Sequence, residues 1–364
     1  MKQQRGVALI AVMMMLALSV VLVVSMTGRL QLQLQRNMNL QLRQQALWLA
    51  LGAEEFTRRT LKKAVVGKDN VNLGQEWAQT GVTFPLEQAT ISGEIKDLNS
   101  CFNLNSLQKK QPRGNNSAAP EPEQERSAAQ QEQAETVKAQ EEQRSEQQAA
   151  NSRTDESTMT PAQKAMQSLL ENNLTELSMP AEYLVVRITD WLDADTTLQN
   201  SGGAEENDYA ALEFPFYNPN SLMVSKTELR TILDMTVADY QMLAPFVCVI
   251  PEDNLLKVNV NTLEKEQAPL LSALIPSLTV ENAEALIAGR PEKGFADINE
   301  FKQAKQMAGL ALSEDVQSLL DVKSKYFQAD LTIDTAESSF KLITIFKVDD
   351  KQVQVIARRF GGPG

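Results

Sequence analysis

Apolar positions divide the chain into stretches with different periods. From Val7 to Gly28 no charged residue interrupts them. A helix over this run is about 33 Å long, enough to cross a hydrocarbon layer of about 30 Å. Beyond it, Ala46, Leu49, Ala50, Ala53, Phe56 and Leu61 recur at helical spacing, with Glu54, Glu55, Arg58 and Arg59 on the remaining surface. The Leu–Gln alternation of residues 30–35 would read as a strand in isolation, but between two helical stretches it reads as helix. The pattern therefore predicts one helix over 7–66, half in lipid and half packed on a domain outside it. Residues 67–84 are rich in turns, and Thr90-Ile-Ser-Gly-Glu-Ile95 has the pattern of a short strand.

Large apolar residues almost vanish over 109–160, where Gln, Glu, Ala, Ser and Asn dominate. Such a segment buries too little surface to offset its ordering entropy, so it reads as a disordered or solvated insert without chemistry. Periodicity resumes with helices predicted over 161–174, 180–191, 225–242, 262–274, 281–288 and 298–307. Ser225 and Glu228 have capping-box spacing. Two short buried strands are expected at 246–250 and 255–260. The tail turns to period 2 over 327–333, 340–348 and 353–357, with Asp349-Asp350 in the tightest turn. The fold class is α+β: a long N-terminal transmembrane helix packed on a small antiparallel sheet, with a large inserted helical domain. The expected division is a leader (1–6), a membrane half-helix (7–28), the first part of the sheet domain (29–108), the insert (109–160), the helical domain (161–322) and a closing β-meander (323–364).

Charge orients this arrangement. Lys2 and Arg5 precede the apolar run, which keeps the N-terminus cytoplasmic and sends the remainder across the membrane. A secretory signal peptide is the rival reading. The run is longer than the usual signal core, however, and no small-x-small site precedes a polar mature start. The two cysteines, Cys101 and Cys248, lie far apart in apolar or strand-like segments. In an oxidising compartment they are most simply one disulfide, the alternative being two buried thiols. A net charge of -12 and the absence of histidine argue against attraction to nucleic acid and against most zinc chemistry. Without histidine a serine or cysteine nucleophile also lacks its commonest base, so the chain reads as no enzyme.

Two constellations remain. Asp190-Trp-Leu-Asp-Ala-Asp195 is followed, after a Gly-Gly turn, by Glu205-Glu206-Asn207-Asp208. Hard cations need several oxygens converging from a flexible loop, and calcium is the natural occupant outside the cytoplasm. The spacing is not that of an EF-hand, and the alternative is a solvated acidic loop with capping aspartates. The second constellation spans about 262–308, where Ile275 to Arg290, Gly294-Phe295 and Ile298 to Phe301 are similar to a helix-hairpin-helix unit. Its hairpin, Pro276-Ser277-Leu278-Thr279, has no glycine to admit a phosphate, and Glu281, Glu284 and Glu292 would repel one. A membrane-anchored DNA-uptake receptor is therefore the alternative function, and a packing module the preferred reading of this unit.

Several motifs together resemble one family. They are the basic leader ending at Gly6, Gln45-Ala-Leu-Trp-Leu-Ala-Leu-Gly-Ala-Glu-Glu55, Phe102-Asn-Leu-Asn105, Asp190 to Asp195 with Gly203-Ala-Glu-Glu206, and Val258-Asn-Val-Asn-Thr262. The chain resembles the K-type minor pseudopilins of type II secretion systems over nearly its whole length outside the insert. The resemblance implies a structural subunit at the tip of a periplasmic pseudopilus, anchored in the inner membrane with its globular part in the periplasm, supporting export of folded proteins. It implies assembly with I- and J-type minor pseudopilins, other pseudopilins and an inner-membrane platform. A prepilin peptidase would cut between Gly6 and Val7, leaving Val7 open to N-methylation. Calcium would be bound by Asp193, Asp195, Glu205 and Glu206, with Asp190 and Asp208 as further contributors. The fifth residue after the cut is Ala11, where most pilin-like subunits carry Glu. That Glu neutralises a neighbour's free amine in lipid, and a tip subunit has no neighbour above it that needs this.

Overall fold

Small residues bring the first helix onto its sheet. In the computed structural model, which describes residues 7–87, 89–108, 159–174, 176–335 and 338–361, α1 runs unbroken over Val7–Ala64. Its buried stripe is Ala46, Ala50, Glu54, Thr57, Leu61 and Ala64, and short side chains there let the helix lie close to β8 (Ser339–Val348) and β9 (Val353–Phe360). The first half has no such partner among the described residues: Leu9–Ala64 contains an 18-residue window of mean hydropathy 2.8 with none of it buried, long and apolar enough to cross a membrane. The five-stranded sheet has the order β1-β2-β7-β8-β9, from Val82–Pro85, Ala89–Asp97, Tyr326–Thr335, Ser339–Val348 and Val353–Phe360. β1 pairs with β2 and β8 with β9 antiparallel, the latter with a register shift between Ile345 and Phe346. Phe327, Ala329, Leu331 and Ile333 of β7 point inward at period 2. Trp77 packs edge-on against Phe327, ring centres 5.1 Å apart.

α1 through Lys68, Gln75–Lys96 and the chain from Phe327 onward form one compact unit. The other comprises Asp69–Gly74 and Asp97–Tyr326. The expected boundary at 108 therefore moves back to 97. The cause is a set of buried asparagines after β2 whose amides bond the backbone of the helical unit. Asn99 Nδ2 donates to Lys257 O (2.8 Å), Asn103 Nδ2 to Asp253 O (2.8 Å), and Asn105 Nδ2 to Met223 O and Ile250 O (both 3.0 Å). Asn259 and Asn261 do the same from the facing segment, reaching Val71 O (3.0 Å) and Phe295 O (2.9 Å). Asp97 lies at this seam too, accepting from Asn99 N (2.7 Å) and Thr262 Oγ1 (2.6 Å) and from the Ser324 hydroxyl. Next to it β3 (Phe102–Asn103) pairs parallel with β4 (Val247–Cys248), and Cys101 is joined to Cys248 by a disulfide with Cα atoms 5.8 Å apart.

Helices α2 (Pro161–Asn173) and α3 (Ala181–Leu192) match the sequence pattern. Thr160 and Gln163 form a reciprocal capping box at the start of α2. Three expected helices are shorter than their patterns. The 225–242 segment is a 3₁₀ turn, Lys226–Thr231, followed by α5 (Val237–Leu243), because Thr236 and Asp239 cap a second start and Asp234 takes a left-handed φ of 59°. Residues 262–274 resolve into a 3₁₀ turn and α6 (Ala268–Leu274), with Pro269 in the first helical turn. The 298–307 pattern resolves into α8 (Ile298–Lys302) and a 3₁₀ turn, Lys305–Met307. Among the elements that escaped the periodicity are β1, α4 (Glu206–Ala210) and α9 (Glu314–Leu319), the last leading into β6 (Leu320–Asp321), which pairs with β5 (Val258–Asn259). α7 (Val280–Ala288) packs on α6. The leader residues 1–6, including Gly6, and the insert over 109–158 lie outside the described residues.

Candidate metal centre

The acidic motif folds as a loop that leaves α3 and returns into α4. Asp193 caps the C-terminus of α3, its N–H bonding Thr189 O at 3.0 Å. Glu205 is the residue before α4. One carboxylate oxygen each from Asp193, Asp195 and Glu205 lie within 4.8 Å of one another, the first and last residues buried. Asp190, fully buried on the last turns of α3, holds the return of the loop: its Oδ2 accepts from Ala204 N at 3.1 Å. A Cβ on Gly203 would sit 2.1 Å from that oxygen, so glycine is required for the approach.

The remaining expected ligands divide. Asp208 Oδ2 accepts from Glu205 N at 2.9 Å and so caps α4. Glu206 begins α4 as an exposed residue and does not join the trio of carboxylates. Sequence reading missed the amides around the loop. Gln199 Nε2 donates to Asp193 Oδ2 (3.0 Å), Asn218 Nδ2 to Glu205 Oε2 (3.0 Å) and Asn220 Nδ2 to Asp195 O (3.1 Å). The turn-forming Asn218-Pro-Asn220 was the available signal. Asn220 takes a left-handed φ of 44° there.

Several oxygens in this loop are buried without use. Asp190 Oδ1, Glu205 Oε1 and Asn220 Oδ1 have no hydrogen-bond partner among the described residues. Carboxylates only accept hydrogen bonds, so neighbouring ones cannot satisfy each other without a proton or a cation. Burial first, and then the charges of Asp193 and Glu205, push the Asp190 carboxyl up to about 7. Glu205 is raised as well, by burial and by Asp193, Asp195 and Asp208, against the opposing Asn218 hydrogen bond. An oxygen-rich, negatively charged loop with unspent lone pairs fits a hard cation such as calcium.

The helix-hairpin-helix-like segment is used differently. Arg290, the cation a phosphate would meet, donates instead to Val260 O (3.2 Å) and Leu263 O (2.8 Å). Lys293 O accepts from the side chains of Asn70 and Asn72. The pair α6–α7 and the loop after it are thus packing elements of their own unit.

Comparison with known proteins places these features together. Models of type II secretion system protein K match residues 100–252 and 258–323. Type II secretion system protein K from Dickeya chrysanthemi is 35% identical over 99% of this chain and 98% of its own length. The proteins of that description from Aeromonas hydrophila and Pectobacterium carotovorum are 32% and 31% identical over 99% of this chain and 98% and 97% of theirs. A chain of the GspK-GspI-GspJ complex from the type 2 secretion system of enterotoxigenic Escherichia coli superposes with a TM-score of 0.70 at 25% identity, over 90% of this chain and all of that one. The chain belongs to the type II secretion system protein K family.

Proposed function

We propose that the chain is a structural minor pseudopilin that initiates and caps the tip of the secretion pseudopilus and so supports export of folded proteins across the outer membrane. The observation that carries this is α1: one continuous helix, apolar and unburied over its first half and packed on its own sheet over its second. Such a helix serves as a membrane store before assembly and as filament contact afterwards. The subunit sits in the inner membrane as a single-pass protein with both globular units in the periplasm. Its partners are I- and J-type minor pseudopilins, as in the complex whose chain it matches, together with other pseudopilins and the assembly platform. A prepilin peptidase cuts between Gly6 and Val7. The DNA-receptor alternative has no comparable support, since Arg290 is engaged by its own backbone.

Calcium is held by Asp193, Asp195 and Glu205, with Asp190 Oδ1 and Asn220 Oδ1 available to complete the oxygen shell. Its role is to fix the loop between α3 and α4, since Asp193 ends the one helix and Glu205 precedes the other. The functional reading is tested by intact mass and N-terminal sequencing of the protein recovered from membranes with and without active prepilin peptidase. A peptidase-dependent start at Val7 is expected. An intact Met1 in both would leave an anchored domain that does not enter a pseudopilus, and the reading would be withdrawn.

A further inference from the structure

Three side chains of α3 meet the strand that returns from the acidic loop to α4. Tyr183, Arg187 and Asp190 stand four and then three residues apart, so they share one face of the helix. Tyr183 reaches the strand first: a Cβ on Gly202 would overlap its ring. Arg187 Nε donates to Gly202 O at 3.1 Å, and Asp190 Oδ2 accepts from Ala204 N at 3.1 Å. The strand's other N–H groups turn back on the loop, Gly202 N donating to Asn200 Oδ1 at 2.8 Å and Gly203 N to Asn200 O at 3.1 Å. The next residue is Glu205. Its approach to Asp193 and Asp195 is therefore set by where α3 holds Gly202 to Ala204.

The charge of Arg187 is spent away from the carboxylates of the loop. Its Nη1 donates to Leu233 O at 2.7 Å and pairs with Asp234 Oδ2 at 2.8 Å, and the side chain is 12% exposed. A guanidinium holds its donors in one rigid plane, so a single arginine can fix two backbone segments at once, which an ammonium on a flexible stem cannot do as firmly. Two effects of this residue on a bound cation have opposite signs. As a positive charge beside the loop, Arg187 repels the ion, and its removal would tighten binding. As the group that fixes Gly202, it keeps Glu205 in reach, and its removal would weaken binding. Groups that orient metal ligands from outside are commonly worth about 10–100-fold in affinity. The repulsion is the smaller effect, because Asp234 answers the guanidinium directly and leaves the loop facing an ion pair instead of a free charge.

We propose that Arg187 is a positioning residue of the acidic loop: by holding Gly202 O it sets Glu205 against Asp193 and Asp195, and so raises the affinity of the loop for a divalent cation. The proposal rests on the calcium reading of that loop. The test is calorimetric titration of calcium into the full chain in detergent, freed of metal by chelator, for wild type, R187K and R187Q at a temperature where each is folded by circular dichroism. R187Q is expected to weaken calcium by at least about tenfold, with R187K, which keeps the charge but loses the fork, between it and wild type. Hydrogen exchange in chelator supplies a second readout: in R187Q the segment over 200–205 should exchange faster while α3 keeps its protection. Equal or tighter binding by R187Q, or wild-type affinity in R187K, overturns the proposal. So does faster exchange spread evenly through α3, which would make the residue a general prop of the fold. Where R187Q does not fold, R187K decides alone, by weakened against wild-type affinity. If wild type itself takes up no calcium, the reading of the loop fails and the proposal falls with it, whereas tight binding by wild type and R187Q alike overturns the role of Arg187 only.

Discussion

Two buried polar clusters of the helical unit have the same burial and opposite bookkeeping. Asn103, Asn105, Asn259 and Asn261 are at most 1% exposed, and each has amide hydrogen bonds to backbone groups. Asp190, Asp193 and Glu205 are at most 5% exposed, yet Asp190 Oδ1 and Glu205 Oε1 find no donor among the described residues. An asparagine both donates and accepts, so it can close both halves of a backbone gap. A carboxylate only accepts, and several facing one another repel. The seam is closed by the chain's own groups, whereas the loop leaves oxygens that only a proton or a cation would satisfy.

That contrast breaks first, if it breaks, at Asn105. Its Nδ2 serves Met223 O and Ile250 O, and its Oδ1 accepts from Met223 N at 2.8 Å. Asn105→Ala strands one donor and two acceptors in the core. At roughly 1–3 kcal/mol per stranded group, and less than additively, we expect a loss of about 4 kcal/mol in thermal or urea unfolding. A loss below about 1 kcal/mol would mean that water replaces the amide and the seam is not what fixes the unit.

Asp97 tests the seam by pH. Burial raises its carboxyl from 3.8 to about 6, with the Ser324 and Thr262 hydroxyls and the Asn99 N–H opposing. Because the folded value lies above the unfolded one, the contribution is fully present below about pH 4 and is lost as pH rises through about 6. The upper bound is about 3 kcal/mol, from roughly two units at 1.36 kcal/mol each. Asp97→Asn should remove that dependence without breaking the seam, since both hydroxyls can turn to accept from the new amide. Unfolding curves at pH 4.5 and 7.5 decide it: an unchanged pH slope in the variant would assign the titration to another group.

The sequence made some of this readable and not the rest. Period 3.6 and period 2 are local, so α1, α2, α3 and the closing strands were visible from spacing, as were the acidic motif and the capping box at Ser225. What failed was non-local or below the length of a period. β1 is four residues long with only Val82 half-buried, and α4 spans five residues set by a cap rather than by a stripe. The unit boundary at Asp97 depends on where the amides of Asn99 to Asn105 find carbonyls more than a hundred residues away, which no window contains. Within the acidic motif the residue types were legible. Which carboxylate caps a helix and which faces its neighbours is set by how α3 and α4 enter the loop.

The acidic loop supplies the next test. Calcium at a hundredfold excess over its dissociation constant should stabilise the protein by about 2.7 kcal/mol relative to the chelated state. Asp193→Ala with Glu205→Ala should abolish that gain, while Asn105→Ala, however destabilised, should keep it. No thermal shift with calcium in the wild type would leave the unpartnered oxygens to protons, and the loop would be acid-stabilised instead.

The smallest expected effect is the sharpest discriminator inside the loop. Glu205 and Glu206 are adjacent and carry the same charge, so a diffuse acidic patch would use them alike. The fold does not: Glu205 is buried with Asn218 on one oxygen, and Glu206 opens α4 toward solvent. An exposed carboxylate acts on a nearby ion mainly through screening water, worth about a few tenths of a kcal/mol. Glu206→Gln should therefore shift calcium affinity by less than about twofold, whereas Glu205→Gln removes a ligand charge and should weaken it by more than about tenfold. Calorimetry on the two variants reads both numbers directly. Equal losses would mean that the ion is held by the field of the whole motif, and burial without a partner would no longer distinguish the loop from the seam.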